Sequence, residues 1–214
     1  MIINWIYLVE YFFNRKIIAA LCKDLRDRRQ LTDVTLLVGE DEILAHKLLL
    51  ATNIPYFNKM FCSGMVETSK DVIPILLEMG PGRKLCPKSF RSIIDFVYTR
   101  EISLHVDNVQ VNQNRTQKHM TYSPVQDILQ TATLLGVDEV IQACSKFMSS
   151  HLSEHNVVLV WLFAQDINCA NLMAAAEKFC ISNFHTFADS ADFLQVFTGS
   201  SLKNIICVMF EKIG

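Results

Sequence analysis

The sequence predicts an α+β fold at the front of the chain and an all-α region behind it, on three observations. Two short β-rich runs flank a glycine turn at residues 34–45, and no further strand is expected beyond the first half of the chain. From residue 87 onward the apolar period is helical, and stretch after stretch repeats it with little interruption. Half of the 214 residues are hydrophobic, enough to bury one domain of ordinary size and a second, smaller one.

The elements follow in order. Residues 1–16 form an apolar, aromatic extension, broken by Glu10, Asn14, Arg15 and Lys16, so it is too short for a spanning helix of about 20 apolar residues. It lacks the basic start and small-residue cleavage site of a signal peptide, and reads as an amphipathic or dimer-packing helix, with an anchor or a wrongly assigned start of the chain as the lesser alternative. A helix is predicted over 17–31, with Ile17, Ile18, Leu21, Cys22 and Leu25 on one face and Lys23, Asp24, Arg26, Asp27 and Arg28 opposite. Residues 34–38 and 42–45 then read as a hairpin around Gly39.

An apolar helix follows at 46–52, and Asn53 is placed to cap the next one, with Pro55 in its first turn. That helix presents Phe57, Met60 and Phe61 on one side. Residues 72–77 read as a strand that Pro74 confines to an edge. Phe90, Ile93, Ile94 and Val97 mark the next helix. Another runs from Pro124 to a stop at Gly136. Val140, Ile141, Cys144, Phe147 and Met148 define a further stripe, and helices are expected over 157–165, 171–184, 191–197 and 202–212. Residues 80–84 and the polar, aperiodic stretch 108–123 are loops by composition.

Charge and cysteine usage exclude several classes of function. Twenty basic and 22 acidic side chains nearly cancel, which argues against a nucleic-acid surface or a polybasic membrane patch. Seven single cysteines without a CxxC pair suit a reduced, cytoplasmic or nuclear protein better than a secreted disulfide framework. His151 and His155 are four apart, but further zinc ligands are missing. His46 has no nucleophile motif beside it and reads as structural. No catalytic constellation, cofactor or metal site is expected.

Leu31-Thr-Asp33-Val-Thr-Leu-Leu-Val38, Ala45-His46-Lys47, and Tyr56-Phe57-Asn-Lys-Met60-Phe61 resemble the signature of the BTB/POZ family. Phe90-Arg-Ser-Ile-Ile-Asp-Phe-Val-Tyr98-Thr, Leu129–Leu135 and Cys144-Ser-Lys-Phe147 continue it. His151-Leu-Ser-Glu-His-Asn156-Val, Phe163-Ala164, Cys169, Leu172 and Asn183-Phe184 resemble the BACK region of kelch-like proteins. The resemblance implies a BTB/POZ domain over 17–150, a small sheet with surrounding helices, then part of a BACK domain over 151–214. It also implies a homodimer that acts as an adaptor and docks on the cullin scaffold of a ubiquitin ligase.

The same resemblance assigns residues. Met65-x-Glu67, with Met60, corresponds to the cullin contact: an exposed apolar knob for a pocket, beside an acceptor that orients its loop. Asp33 and Lys47 correspond to the charged pair at the base of the dimer groove, although Asp33 could equally serve to cap local N–H groups. Lys59 departs from the small residue usual beside Met60, and residues 109–125 form an insertion near the surface that faces the cullin. Seven glycines are too few for kelch blades, so no substrate arm is expected. The alternative is a non-ligase scaffold that pairs with other BTB proteins, or limits full-length kelch-like proteins by heterodimerising.

Overall fold

A computed structural model of the chain describes residues 16–63, 71–76, 85–105, 124–154 and 156–183. The apolar extension, Met65, Glu67, the 109–125 insertion, His155 and the two last expected helices lie outside the described residues, apart from Lys16 at the end of the extension and Pro124 and Val125 at the end of the insertion. The chain divides into two units, Met1–Cys144 and Ser145–Gly214.

The first unit opens with helix α1 (residues 16–27). A hairpin follows, β1 (Val34–Val38) and β2 (Asp41–Ala45), then α2 (Lys47–Asn53), α3 (Pro55–Cys62), β3 (Val72–Pro74), α4 (Pro87–Thr99) and α5 (Pro124–Leu135). Gly39, at φ 66°, takes the first turn position between Val38 and Asp41, where a side chain would be strained. The sheet order is β2-β1-β3, with β2 antiparallel and β3 parallel to β1. Val34, Leu36 and Val38 alternate into the core from the central strand. Pro74 therefore sits on an edge strand, as its missing N–H demands.

The core of this unit is aromatic and branched. Phe57 stacks on Phe61 at 5.6 Å and meets Phe90 edge-on at 6.4 Å. Leu36, Leu50, Ile54, Ile93, Ile94 and Leu129 are fully buried around them. The expected stripe Phe90, Ile93, Ile94, Val97 is the buried face of α4. Asn53 does not cap α3: Ile54 holds that position, and the Asn53 amide donates back to the Leu49 carbonyl at 2.7 Å. Asn53 Oδ1 instead accepts from the Arg100 guanidinium, a tertiary partner that local sequence does not announce.

Helix α1 departs most from its sequence reading. Its inward residues are Ala19, which is buried, and the half-buried Cys22, Lys23, Leu25 and Arg26. Ile17, Ile18 and Leu21 are 43%, 55% and 61% exposed. The apolar stripe that periodicity identifies is thus turned mostly away from the domain's own core.

Three helices end on the same hydrogen-bonded closure. After α5, Gly136 N donates to Thr133 O at 3.3 Å and Val137 N to Ala132 O at 2.9 Å. Gly136 takes φ 75°, and a Cβ there would stand 3.3 Å from Pro55. After α1, Arg29 N donates to Arg26 O at 2.9 Å and Gln30 N to Leu25 O at 2.8 Å, so Arg29, at φ 56°, fills the position that favours glycine. Arg29→Gly is expected to stabilise the fold by about 0.5–1 kcal/mol, because relief of left-handed strain exceeds the added chain entropy. A higher urea midpoint at unchanged slope would register it.

Helix α6 (Asp138–Ser150) carries the chain across the division between the units. In the second unit α7 (Val157–Asp166) and α8 (Ala170–Ser182) pack through Val157, Trp161, Ala176 and Cys180. Burial pushes the Cys180 thiol up to about 11, so it stays protonated and inert. The third such closure, with Asn168 at φ 56°, ends α7, where Asn tolerates the left-handed backbone. No described helix is long and apolar enough to cross a membrane.

Candidate interaction surfaces

Asp33 and Lys47 come together, but through the backbone. Asp33 Oδ1 accepts the Lys47 N–H at 2.7 Å, while Asp33 N donates to Ala45 O at 3.2 Å. Helix α2 receives no cap from its own N-cap side chain, His46, so the carboxylate from the head of β1 satisfies an open N–H at the positive end of the helix. Asp33→Ala is expected to cost about 1–2 kcal/mol, and Asp33→Asn, which keeps an acceptor, to recover most of it. Urea unfolding of the two variants would separate them.

Next to this cap lies a second polar junction. The Tyr98 hydroxyl accepts the His46 N–H at 3.0 Å and meets His46 Nδ1 at 3.0 Å. Burial is the main cause that pushes this phenol up to about 12, against the opposing pull of the His46 N–H and Arg26. It therefore keeps its proton, and the imidazole tautomer sets which atom donates in the contact with Nδ1. Arg26 reaches across from α1, with its guanidinium 4.2 Å from the Tyr98 ring centroid and Nη2 2.8 Å from Asp95 Oδ1. His46 is structural, as expected. Arg26 was not legible as a buried group: it sits in a run of charges that reads as a solvated face, yet its side chain is only 13% exposed.

The outward surfaces are apolar at α1 and α2. Beside Ile17, Ile18 and Leu21, Leu48 on α2 is 76% exposed, and Leu31 in the connection to β1 is 79% exposed. On α3, Phe57 and Phe61 face the core, Met60 is half-buried, and Tyr56 and Lys59 are exposed. Met60 and Lys59 thus share a helix whose outer side is accessible. Among the described residues no group of three His, Cys, Asp or Glu side chains is placed to hold a metal. Burial raises the Asp127 carboxyl above its usual value, with a Cys86 hydrogen bond opposing.

A small three-stranded sheet wrapped by helices, followed by a helical region, defines an α+β interaction domain with an α-helical extension. The BTB/POZ domain model matches residues 22–152, more than half of the chain, and the BACK (BTB And C-terminal Kelch) model matches residues 157–207. The chain belongs to the BTB/POZ family and carries a BACK region after it. It is similar to Kelch-like protein 8 of Caenorhabditis elegans, 32% identical over 79% of this chain and 21% of that protein. It is also similar to Kelch-like protein 8 of Mus musculus, 33% identical over 78% of this chain and 23% of that protein. The chain thus spans the equivalent of less than a quarter of either relative. A solved structure of the BTB domain of zebrafish PATZ1 matches at 23% identity and a TM-score of 0.47, over 62% of this chain and 89% of that one.

Proposed function

We propose that this chain is a non-catalytic adaptor: a homodimeric BTB–BACK module that docks on a cullin through Met60, Met65 and Glu67. The observation that carries the reading is the outward apolar stripe of α1, formed by Ile17, Ile18 and Leu21. Large apolar side chains gathered on one exposed helix face mark an interaction surface, and a second copy of the same stripe is the simplest complement. The relation to kelch-like proteins supports the adaptor role, and the accessible side of α3 supports docking next to Met60.

Docking of this type concentrates its affinity in a few buried anchors. Met65→Ala combined with Glu67→Ala is therefore expected to weaken capture of a cullin N-terminal domain by at least ~10-fold and to leave the dimer intact. Unchanged capture in a pull-down would remove these residues from the site.

Lys59 supports a second reading. An exposed ammonium beside Met60 has to be desolvated or turned to the rim if a partner packs closely on α3. A BTB scaffold that pairs with full-length kelch-like proteins and ignores cullins accommodates it without that cost. Co-purification with such proteins, and not with a cullin, would select this reading.

A further inference from the structure

Helix α1 is anchored differently from the other helices of its unit. Helices α3 and α4 are held by Phe57, Phe61, Phe90, Ile93 and Ile94, whereas the buried residue of α1 is Ala19, whose methyl offers little apolar area. Its strong attachment is polar: Arg26 pairs with Asp95 at 2.8 Å and lies 4.2 Å over the Tyr98 ring. The same Tyr98 hydroxyl fixes the start of α2 through the His46 N–H and Nδ1, each at 3.0 Å. One phenol on α4 thus ties together α1 and α2, the two helices that carry the exposed Ile17, Ile18, Leu21 and Leu48.

We propose that Arg26, Tyr98 and His46 are positioning residues that set α1 and the α2 start in the arrangement a second copy of the chain recognises. Tyr98, 1% exposed, and the nearly buried Arg26 act from beneath the surface. The proposal rests on the dimer reading above. Its physical basis is preorganisation: a surface already fixed in its bound arrangement loses less freedom on association. Two buried atoms of this junction, His46 Nε2 and Arg26 Nη1, have no hydrogen bond among the described residues.

The test uses the full chain. Arg26→Met keeps the apolar stem and removes the guanidinium, Arg26→Lys keeps the charge without the planar stack, and Tyr98→Phe keeps the ring and removes the hydroxyl. Dimer dissociation constants by sedimentation are read together with hydrogen exchange of the α1 amides. Arg26→Met is expected to weaken the dimer at least ~10-fold and to speed α1 exchange by a similar factor, with Arg26→Lys in between. Tyr98→Phe is expected to weaken it ~3–10-fold. A lowered melting temperature with unchanged dissociation constant and unchanged α1 exchange would overturn the positioning role. A wild-type chain that remains monomeric at high concentration would instead overturn the dimer reading beneath it.

Discussion

On the proposed homodimer, Ile18→Asp combined with Leu21→Asp is expected to give a folded monomer, with the dissociation constant rising at least ~100-fold. In the single chain these side chains are 55% and 61% exposed, so the fold has little to lose from the change. Surface substitutions of this kind shift stability by about 0.5 kcal/mol or less. In a dimer built on α1 the same two carboxylates would be forced out of water against an apolar face. Sedimentation equilibrium with circular dichroism on the same samples separates the outcomes. A dimer of unchanged strength would place the self-association surface elsewhere.

Phe90→Ala is expected to cost about 3–5 kcal/mol, the usual penalty for emptying a buried aromatic site. Phe90 is fully buried, meets Phe57 edge-on at 6.4 Å, and stands on the face of α4 that also holds Ile93, Ile94 and Val97. Domains of this size have about 5–15 kcal/mol in total, so the variant should be largely unfolded in mild urea. Phe90→Leu, which refills most of the volume, should lose less than half as much. A loss below about 1 kcal/mol for Phe90→Ala would mean that the site collapses freely and the aromatic cluster is not the centre of the core.

The sequence disclosed those features that a local pattern dictates. The hairpin around Gly39 follows from alternation and one residue free to take positive φ, and Pro74 on the edge follows from a missing N–H. The stop at Gly136 and the α4 stripe are likewise short-range matters. What stayed hidden depends on residues far apart in sequence. Periodicity located an apolar face on α1 but could not tell that little Ala19 faces inward while Ile17, Ile18 and Leu21 face out. Asn53 reads as a cap because capping is local, yet Arg100, 47 residues on, takes its side-chain oxygen.

The candidate site was legible to a similar extent. Asp33 meets Lys47 through a carboxylate on a helix-start amide, whereas the resemblance to BTB domains implies a charged pair at a dimer groove. Arg26 escaped notice because charge is normally solvated, and only the Asp95 carboxylate and Tyr98 ring make its burial tolerable. Met60 is placed on an accessible helix, while Met65 and Glu67 rest on the sequence resemblance alone.

Light scattering on the purified chain, alone and mixed with a cullin N-terminal domain, tests the adaptor reading most directly. A dimer that shifts to the mass of one dimer with two cullin domains is the predicted result. A dimer whose mass does not change when the cullin is added would contradict docking through Met60, Met65 and Glu67, and would leave the scaffold reading in its place.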